Sequence, residues 1–350
     1  MRVGFIGAGG IAREMALTMR KLESPEYVIT AMRQMHSPDD GEKEIAGCDV
    51  PKIECTAVAA RDLERAELFA RTYGFRRAYG NYEELLADPE IDLVYIALPH
   101  SHHCRWTKSA LAAGKHVLCE KAFALNEAEA REMVELAQEK GLLLAEAIWT
   151  RYMPSRKIID GIIGSGELGE IHTVSANIGY PVFMNERMFR PELGGGALLD
   201  LTVYPLNFAG MVLGDNISGI SASCIMDSHG VDGQNQVMIA YADGKMASLF
   251  ASMYTMTDRT GWIYGEKGFL EVQNINNPEA IRLYRRGEKN IPFLEREYPV
   301  PSQINGYEYE VIACALAIRD GKYECGEMPH SETLNIMRQM DRIRKIWKIF

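Results

Sequence analysis

The 350-residue sequence contains no two cysteines close enough to form a Cys-x-x-Cys pair. Its seven cysteines are scattered along the chain, at Cys48, Cys55, Cys104, Cys119, Cys224, Cys314 and Cys325. Zinc knuckles and disulfide scaffolds need closely spaced or evenly paired cysteines, so neither is indicated. Arg13 and Glu14 interrupt the stretch in which a secretory signal would need an apolar run. We therefore expect a reducing, cytoplasmic location.

The chain also lacks an uninterrupted apolar run of the ~18 residues that a membrane span needs. Its least charged long segment, residues 193–214, is broken by a run of three glycines, by Asp200 and by Pro205. An excess of basic residues is missing too, because 38 lysines and arginines compare with 48 aspartates and glutamates, a formal net charge of −10. An acidic chain repels phosphate backbones and anionic lipids. We therefore expect neither a nucleic-acid partner nor a membrane partner.

The composition of the chain is sufficient for a large hydrophobic core, since 47% of the residues are hydrophobic and 25% are charged. These values are typical of a globular enzyme and argue against intrinsic disorder. A single core rarely grows beyond about 250–300 residues. The length of 350 residues therefore predicts two domains.

Short apolar runs alternate with helical patterns in the first part of the chain. Strands are predicted at residues 2–6, 55–60, 93–98, 116–119 and 142–145. This alternation is typical of βαβ units and predicts a doubly wound parallel sheet of the Rossmann type over residues 1–148. Residues 27–32 offer an alternative second strand. Residues 37–52 are polar and indicate an insertion loop whose role stays open.

The pattern changes after this region, because long strands follow one another with few helices between them. Strands are predicted at residues 171–179, 217–226, 236–241, 246–254, 269–272 and 281–284. Helices are predicted at residues 196–213, 306–319 and 331–349. We therefore predict a second domain over residues 149–350, an α+β fold with an open, mostly antiparallel sheet.

A glycine-rich turn follows the first predicted strand and matches the pattern G-x-G-x-x-A. The positions that carry the pattern are Gly7, Gly9, Gly10, Ile11 and Ala12. The first glycine permits a tight turn, the second lets the backbone approach a pyrophosphate, and the small third position lets the helix pack on the strand. The phosphates then lie at a helix N-terminus, which attracts anions. We predict a dinucleotide site here, with a purely structural glycine turn as the alternative.

The end of the second strand indicates which cofactor binds. An acidic residue there is typical of NAD enzymes, whereas an arginine accommodates the 2′-phosphate of NADP. The predicted strand ends in Arg61 and Asp62, so Arg61 favours NADP, with NAD possible. Alternatively Arg61 is a surface residue and Asp62 caps the next helix. Residues 27–32, if they form the second strand, would remove Arg61 from the site.

Polar side chains follow the strand at residues 93–98. The candidates for cofactor contact are Leu98, Pro99, His100 and His103. Ligands of open α/β sheets bind at the carboxyl ends of strands. We expect one or two of the local histidines to contact the nicotinamide ribose and another to cap the following helix. No metal is expected, because no nearby carboxylate or cysteine completes a ligand set.

A third strand end carries Glu120, Lys121 and Ala122. Together with the glycine turn and the Leu-Pro-His-x-x-His strand end, it makes the chain resemble the Gfo/Idh/MocA oxidoreductase family over essentially its whole length. Many members have Glu-Lys-Pro where this chain has Glu-Lys-Ala. The resemblance implies a Rossmann domain followed by a domain whose open sheet often forms dimers. It therefore also implies a homodimer or higher oligomer through the C-terminal sheet, and a cofactor contact by Glu120 and Lys121.

Two segments, residues 146–152 and 194–204, are similar to the family branch of the dimeric dihydrodiol dehydrogenases, also described as NADP-dependent D-xylose dehydrogenases. Asp200-x-x-x-Tyr204 stands where many family members have Asp-x-x-x-His. The resemblance implies that Lys121, Asp200 and Tyr204 are the catalytic set. It also implies a preference for NADP, in line with Arg61.

The residue types fit hydride transfer, because an alcohol that loses a hydride must also lose a proton. A tyrosine with a pKa of ~10 is a poor base unless a cation such as Lys121 favours its phenolate. Asp200, one helical turn before Tyr204, is expected to orient Lys121 or bind a neighbouring hydroxyl. The alternatives are a solvated Lys121, an Asp200 that only caps a helix, and a Tyr204 packed in the core.

Three further side chains, Trp149, Arg151 and Tyr152, either line the substrate pocket or form the domain junction. The sequence predicts an NADP-dependent oxidoreductase that acts on a sugar, a polyol or a cyclic diol. The alternatives are an NAD-dependent dehydrogenase of an inositol or amino-sugar substrate, and a non-catalytic nucleotide sensor.

Overall fold

The computed structural model describes residues 1–35 and 50–348. Most of the predicted insertion at residues 37–52 therefore lies outside the described residues. The chain forms two compact units, one of residues 1–153 with 302–334 and one of residues 154–301 with 335–350. This division differs from the boundary expected after residue 148, because residues 302–334 return to the first unit.

The elements follow in chain order. The strands are β1 (Arg2–Ile6), β2 (Glu54–Ala59), β3 (Arg77–Tyr79), β4 (Leu93–Ile96), β5 (His116–Glu120), β6 (Leu144–Ala147), β7 (Ile171–Gly179), β8 (Ile217–Met226), β9 (Asp232–Tyr241), β10 (Met246–Ser252), β11 (Gly261–Gly265), β12 (Gly268–Gln273), β13 (Ala280–Arg286) and β14 (Pro292–Tyr298). The helices are α1 (Gly10–Leu22), α2 (Pro25–Met35), α3 (Leu63–Tyr73), α4 (Tyr82–Ala87), α5 (His100–Ala112), α6 (Glu127–Lys140), α7 (Pro154–Gly164), α8 (Val203–Leu213), α9 (Glu308–Arg319) and α10 (His330–Trp347).

The first unit is built on a six-stranded sheet in the order β3-β2-β1-β4-β5-β6, with every neighbouring pair parallel. This order is that of the doubly wound dinucleotide-binding fold, so the predicted Rossmann sheet is confirmed. Residues 27–32 lie in helix α2, and the alternative second strand is therefore wrong. The buried residues Val28, Ala31, Met32 and Met35 of α2 recur at helical spacing.

The returning segment packs against the first two helices of this unit. Helix α9 contacts α1 and α2. The Thr18 hydroxyl donates to Asn305 Oδ1 at 2.8 Å, and the Tyr309 hydroxyl donates to Gln34 Oε1 at 2.7 Å. The first unit is therefore completed by residues that follow the second unit in the sequence.

The second unit is built on an eight-stranded sheet in the order β14-β13-β12-β11-β7-β10-β9-β8. Its pairs are antiparallel except β7 with β10, which is parallel. The mostly antiparallel sheet is thus confirmed, with this one exception to the expected succession of antiparallel strands. Helix α8 packs on one face, against β7, β10 and β11.

Residues 191–213 are the one helical stretch, among those described, with the length and apolar composition of a membrane span. Of the stretch that meets this test, 78% is buried inside the protein. Length and composition alone say little, because a core helix meets the same criteria. Helix α8, which ends this stretch, supplies the core of the second unit.

Candidate active site

The glycine turn after β1 requires glycine at its first position. Gly7 has a φ of +108°, and a Cβ there would lie 2.3 Å from the carbonyl oxygen of Ala97. Its N–H donates to the Ala59 carbonyl at 3.0 Å. The turn is therefore held tightly between β2 and the end of β4, and only a residue without a side chain fits.

The next two glycines have the opposite surroundings. A Cβ on Gly9 or Gly10 would meet no atom within 4 Å, so both face open space. Gly9 is the N-cap of α1 and offers no side-chain cap, and the first turn of α1 holds no acidic residue. Ala12 is fully buried, whereas Ile11 is half-buried. The free N–H groups of α1 can therefore be approached by a pyrophosphate, and these residues fit a dinucleotide.

The end of β2 places charged side chains beside this turn. Asp62 caps α3, accepting hydrogen bonds from the N–H groups of Glu64 at 2.8 Å and Arg65 at 3.5 Å. Arg61 is exposed directly before it. Burial, with the charges of Arg61 and Arg105, lowers the pKa of His102. The charge of Arg61 therefore acts on His102, which lies in the first turn of α5.

Arg65 is a site residue that sequence reasoning missed. Its Nη2 donates to the carbonyl oxygen of Ala8, inside the glycine turn, at 2.8 Å. Arg65 lies in the first turn of α3, whereas Arg61 precedes the N-cap Asp62 and lies outside the helix. A second arginine so soon after the strand end is the signal that could have identified it.

The end of β4 contains buried histidines. Both His100 and His103 are buried, and the ring nitrogens of His103 lie 2.9 Å from the Ala122 carbonyl and 2.8 Å from the Leu98 carbonyl. His103 therefore links two strand ends of the first unit, and its contact with a cofactor stays a prediction. The N-cap of α5 is Pro99, so the expectation that a histidine caps this helix is wrong.

The loop after β5 holds the predicted catalytic lysine. Glu120 is buried and accepts a hydrogen bond from the Tyr95 hydroxyl. Lys121 is half-buried, and the peptide that joins it to Ala122 is cis. In a parallel sheet the carboxyl ends of all strands lie at one edge, so Lys121 shares this edge with the glycine turn.

The three side chains after β6 are packed within the first unit. Trp149 stacks on Tyr307 with ring centroids 4.4 Å apart, and Arg151 forms an ion pair with Glu332. The Tyr152 hydroxyl donates to the Glu146 carbonyl at 2.9 Å. A contact of Trp149, Arg151 or Tyr152 with substrate stays a prediction.

A buried carboxyl lies beside them. Burial raises the pKa of Glu146 to about 7, against the effects of a hydrogen bond from Thr333 and the charge of Arg151. The Thr333 hydroxyl donates to Glu146 Oε2 at 2.9 Å. Glu146 therefore exchanges its proton near neutral pH rather than near its ordinary value.

In the second unit, Asp200 and Tyr204 belong to one continuous helical segment. A π-helical turn over Leu198–Thr202 leads directly into α8. Asp200 lies inside that turn and does not cap a helix, and Tyr204 is buried at the start of α8. Widened turns of this kind are frequent at functional sites.

Arg187 is a second residue that sequence reasoning missed. Its Nη2 donates to Asp200 Oδ1 at 3.0 Å, and the Asp200 side chain is only 13% exposed. Arg187 lies in a single 3₁₀ turn, Glu186–Phe189, where no periodicity could have indicated its partner. The pair keeps a charged carboxylate in place at the π-helical turn.

Comparison with known proteins agrees with both units. A family described as oxidoreductases with an NAD-binding Rossmann fold matches residues 1–147, and the Gfo/Idh/MocA C-terminal domain matches residues 158–271. The trans-1,2-dihydrobenzene-1,2-diol dehydrogenase of Mus musculus is 31% identical over 354 residues, which cover 99% of this chain and 96% of that protein. The Homo sapiens protein of the same name is 33% identical over 298 residues, covering 83% and 88%.

Two solved structures share the fold. KijD10, a 3-ketoreductase from Actinomadura kijaniata in complex with NADP and TDP-benzene, superposes with a TM-score of 0.80 at 25% identity, covering 99% of this chain and 97% of that one. A levoglucosan dehydrogenase in complex with NADH gives a TM-score of 0.81 at 19% identity and the same coverage. The chain belongs to the Gfo/Idh/MocA family of nicotinamide-dependent oxidoreductases.

Proposed function

We propose that the protein is an NADP-dependent dehydrogenase or reductase that acts on a CH–OH group of a sugar, a polyol or a cyclic diol. The observation that supports the binding of a dinucleotide cofactor is the uncapped start of α1, where Gly9 and Gly10 leave room for a pyrophosphate. Support for the substrate class comes from relatives named as dehydrogenases of a cyclic diol. The site is proposed to act in the cytoplasm on a small molecule, without nucleic-acid or membrane partners.

Three side chains are proposed to carry the reaction. The bound nicotinamide supplies the hydride chemistry. Tyr204 exchanges the proton of the substrate hydroxyl, and the ammonium of Lys121 favours the phenolate and stabilises charge that develops on the substrate oxygen. Asp200, held by Arg187 at 3.0 Å, binds a neighbouring hydroxyl or orients the lysine.

A substrate panel tests this proposal. Purified protein is mixed with pentoses, hexoses, inositols, an amino sugar and a trans-dihydrodiol, each with NADP and with NAD, and reduced nicotinamide is followed by its absorbance. We expect turnover with a sugar or diol and NADP. Turnover only with NAD and an inositol or amino sugar would favour the second dehydrogenase hypothesis. Tight binding without any turnover would favour a nucleotide sensor.

Arg61 and Arg65 are proposed to bind NADP, and Arg61 is proposed to select it over NAD. Arg61→Ala is expected to weaken NADP binding by about 10–100-fold and NAD binding by less than about 3-fold, because a charge-assisted contact to the 2′-phosphate is lost. Arg65→Ala is expected to weaken both, since Arg65 also holds the glycine turn. Fluorescence titration measures the dissociation constants, with the exposed Arg71→Ala as control. An unchanged NADP preference in Arg61→Ala would exclude Arg61 from the site.

The second unit presents an aromatic patch on one face of its sheet, and we propose that this patch belongs to a homodimer interface. Trp262, Tyr264, Phe269 and Tyr284 form one aromatic cluster, in which the rings of Phe269 and Tyr284 stack 5.0 Å apart. Along β11 the buried residues alternate with these aromatics, so the cluster lies on the face opposite the core. Exposed apolar patches of this kind mark interaction surfaces.

Light scattering at micromolar concentration tests the dimer. The wild type is expected to be a dimer, and Tyr264→Glu is expected to shift the mass toward the monomer because it buries a charge in the interface. Lys157→Glu, on the exposed side of α7, serves as control and is expected to remain dimeric. A monomeric wild type would overturn this part of the proposal.

A further inference from the structure

A buried polar network lies behind the π-helical turn of the second unit. Asp232, at the start of β9, accepts hydrogen bonds through Oδ2 from the Leu198 N–H at 2.8 Å and from Asn235 Nδ2 at 2.9 Å. Asn235 Oδ1 in turn accepts a hydrogen bond from the Thr202 hydroxyl at 3.0 Å. The network therefore connects β9 to the first and last residues of the π-helical turn.

The backbone just before this turn leaves space for the Asp232 carboxylate. Gly196 has a φ of +108°, and a Cβ there would lie 2.3 Å from Asp232 Oδ1. Asp232, Asn235 and Thr202 are all buried. A buried carboxylate and amide with these partners are costly to leave unsatisfied, so the network fixes the backbone it touches.

The fixed backbone carries the two side chains assigned to the reaction. Asp200 lies midway between Leu198 and Thr202, and Tyr204 lies two residues after Thr202. An ordinary helical turn in place of the π-helical one would rotate Asp200 and Tyr204 relative to each other and to the sheet. The contacts that hold the turn therefore decide where both side chains point.

We propose that Asp232 and Asn235 are positioning residues for catalysis, which hold the π-helical turn in the geometry that presents Asp200 and Tyr204. This inference rests on the proposed function, because it assumes that those two side chains take part in the reaction. Neither Asp232 nor Asn235 is proposed to contact substrate or cofactor.

The chemistry of Asp232 indicates that its oxygen atoms matter more than its charge. Burial raises the pKa of Asp232 to about 7, while the hydrogen bonds from Asn235 and Leu198 and the charge of Arg344 act in the opposite direction. The carboxyl is thus partly protonated near neutral pH and still has one oxygen to accept from Leu198 and Asn235. An asparagine at this position keeps that oxygen and is expected to keep the turn.

Matched substitutions test the proposal. Thr202→Val removes the hydroxyl with little change of shape, and Thr202→Ser keeps it; Asp232→Ala removes the acceptor, and Asp232→Asn keeps it. We expect kcat to fall about 10–100-fold in Thr202→Val and Asp232→Ala, since small misplacements of catalytic groups cost up to about that much. The KM for NADP is expected to stay within about 3-fold. Thr202→Ser and Asp232→Asn are expected to stay within about 3-fold of the wild-type kcat.

A second readout separates positioning from a loss of folded protein. With deuterated substrate, the primary isotope effect on kcat is expected to increase in Thr202→Val, because misplaced groups make hydride transfer slower than product release. A smaller folded fraction would lower the rate without changing the isotope effect. If Asp232→Ala does not fold, Thr202→Val and its isotope effect decide the outcome.

Tyr204→Phe and Asp200→Asn are measured beside these variants. If both lose activity while folded Thr202→Val keeps the wild-type kcat and isotope effect, the positioning proposal is wrong and the proposed function stands. If Tyr204→Phe and Asp200→Asn keep full activity, the catalytic assignment fails and the positioning proposal fails with it.

Discussion

Replacing Lys121 by methionine is expected to reduce kcat by about 10³-fold or more, while NADP still binds. Methionine keeps the length of the side chain and removes the ammonium, which is proposed both to favour the phenolate and to stabilise charge on the substrate oxygen. Losing such a group typically costs 10²–10⁴-fold. Single-turnover absorbance measures the rate of hydride transfer, and fluorescence titration measures NADP binding.

Lys140→Met is the matched control, because Lys140 is exposed at the end of α6. It is expected to leave both measurements unchanged. If Lys121→Met turned over substrate at the wild-type rate, Lys121 could not be the group that handles charge at the reacting oxygen. If it lost NADP binding as well, its role would be in the cofactor site.

Replacing Glu146 by glutamine is expected to stabilise the first unit at pH 8 by as much as about 3 kcal/mol and to change it little at pH 4. Burial raises the pKa of Glu146 from 4.5 to about 7 in the folded protein. The folded state therefore holds the proton more tightly than the unfolded state. The stability gained from that proton is complete below pH 4.5 and is lost as the pH rises to about 7.

Glutamine is neutral at every pH and can still pair with the Thr333 hydroxyl, so the pH-dependent loss should disappear. Denaturant unfolding of wild type and Glu146→Gln between pH 4 and pH 8 measures the difference in free energy of unfolding. Glu135→Gln, on the exposed side of α6, is the control for the same substitution outside the core and is expected to change the free energy of unfolding little. A pH-independent difference for Glu146→Gln would mean that folding does not raise the pKa of this carboxyl.

The central strands of the first unit were predictable because they are buried on both faces. The residues of β1, β2 and β4 form short apolar runs, and turns with glycine or charged residues lie next to them. Such runs are distinctive in sequence. The glycine turn was predictable for a similar reason, since the tight turn at Gly7 leaves only one residue type possible. The doubly wound sheet and its cofactor edge follow from these local signals.

Other elements have no local signal. Six of the seven residues of β14 are exposed, so it shows no alternation, and its place follows from pairing with β13. The return of residues 302–334 to the first unit depends on contacts with α1 and α2, which lie far away in the sequence. The partnership of Arg187 with Asp200 likewise depends on the path of a loop. Such features require the folded chain.

The returning segment has a consequence for biosynthesis. All strands of the eight-stranded sheet are synthesised before residues 302–334. Until those residues emerge from the ribosome, the sides of α1 and α2 that contact α9 stay uncovered. The first unit therefore cannot finish folding before residues 154–301 of the second unit have been synthesised. A fragment cut after residue 153 would lack the partners of Thr18 and Gln34, whereas adding residues 302–334 as a separate peptide should restore them.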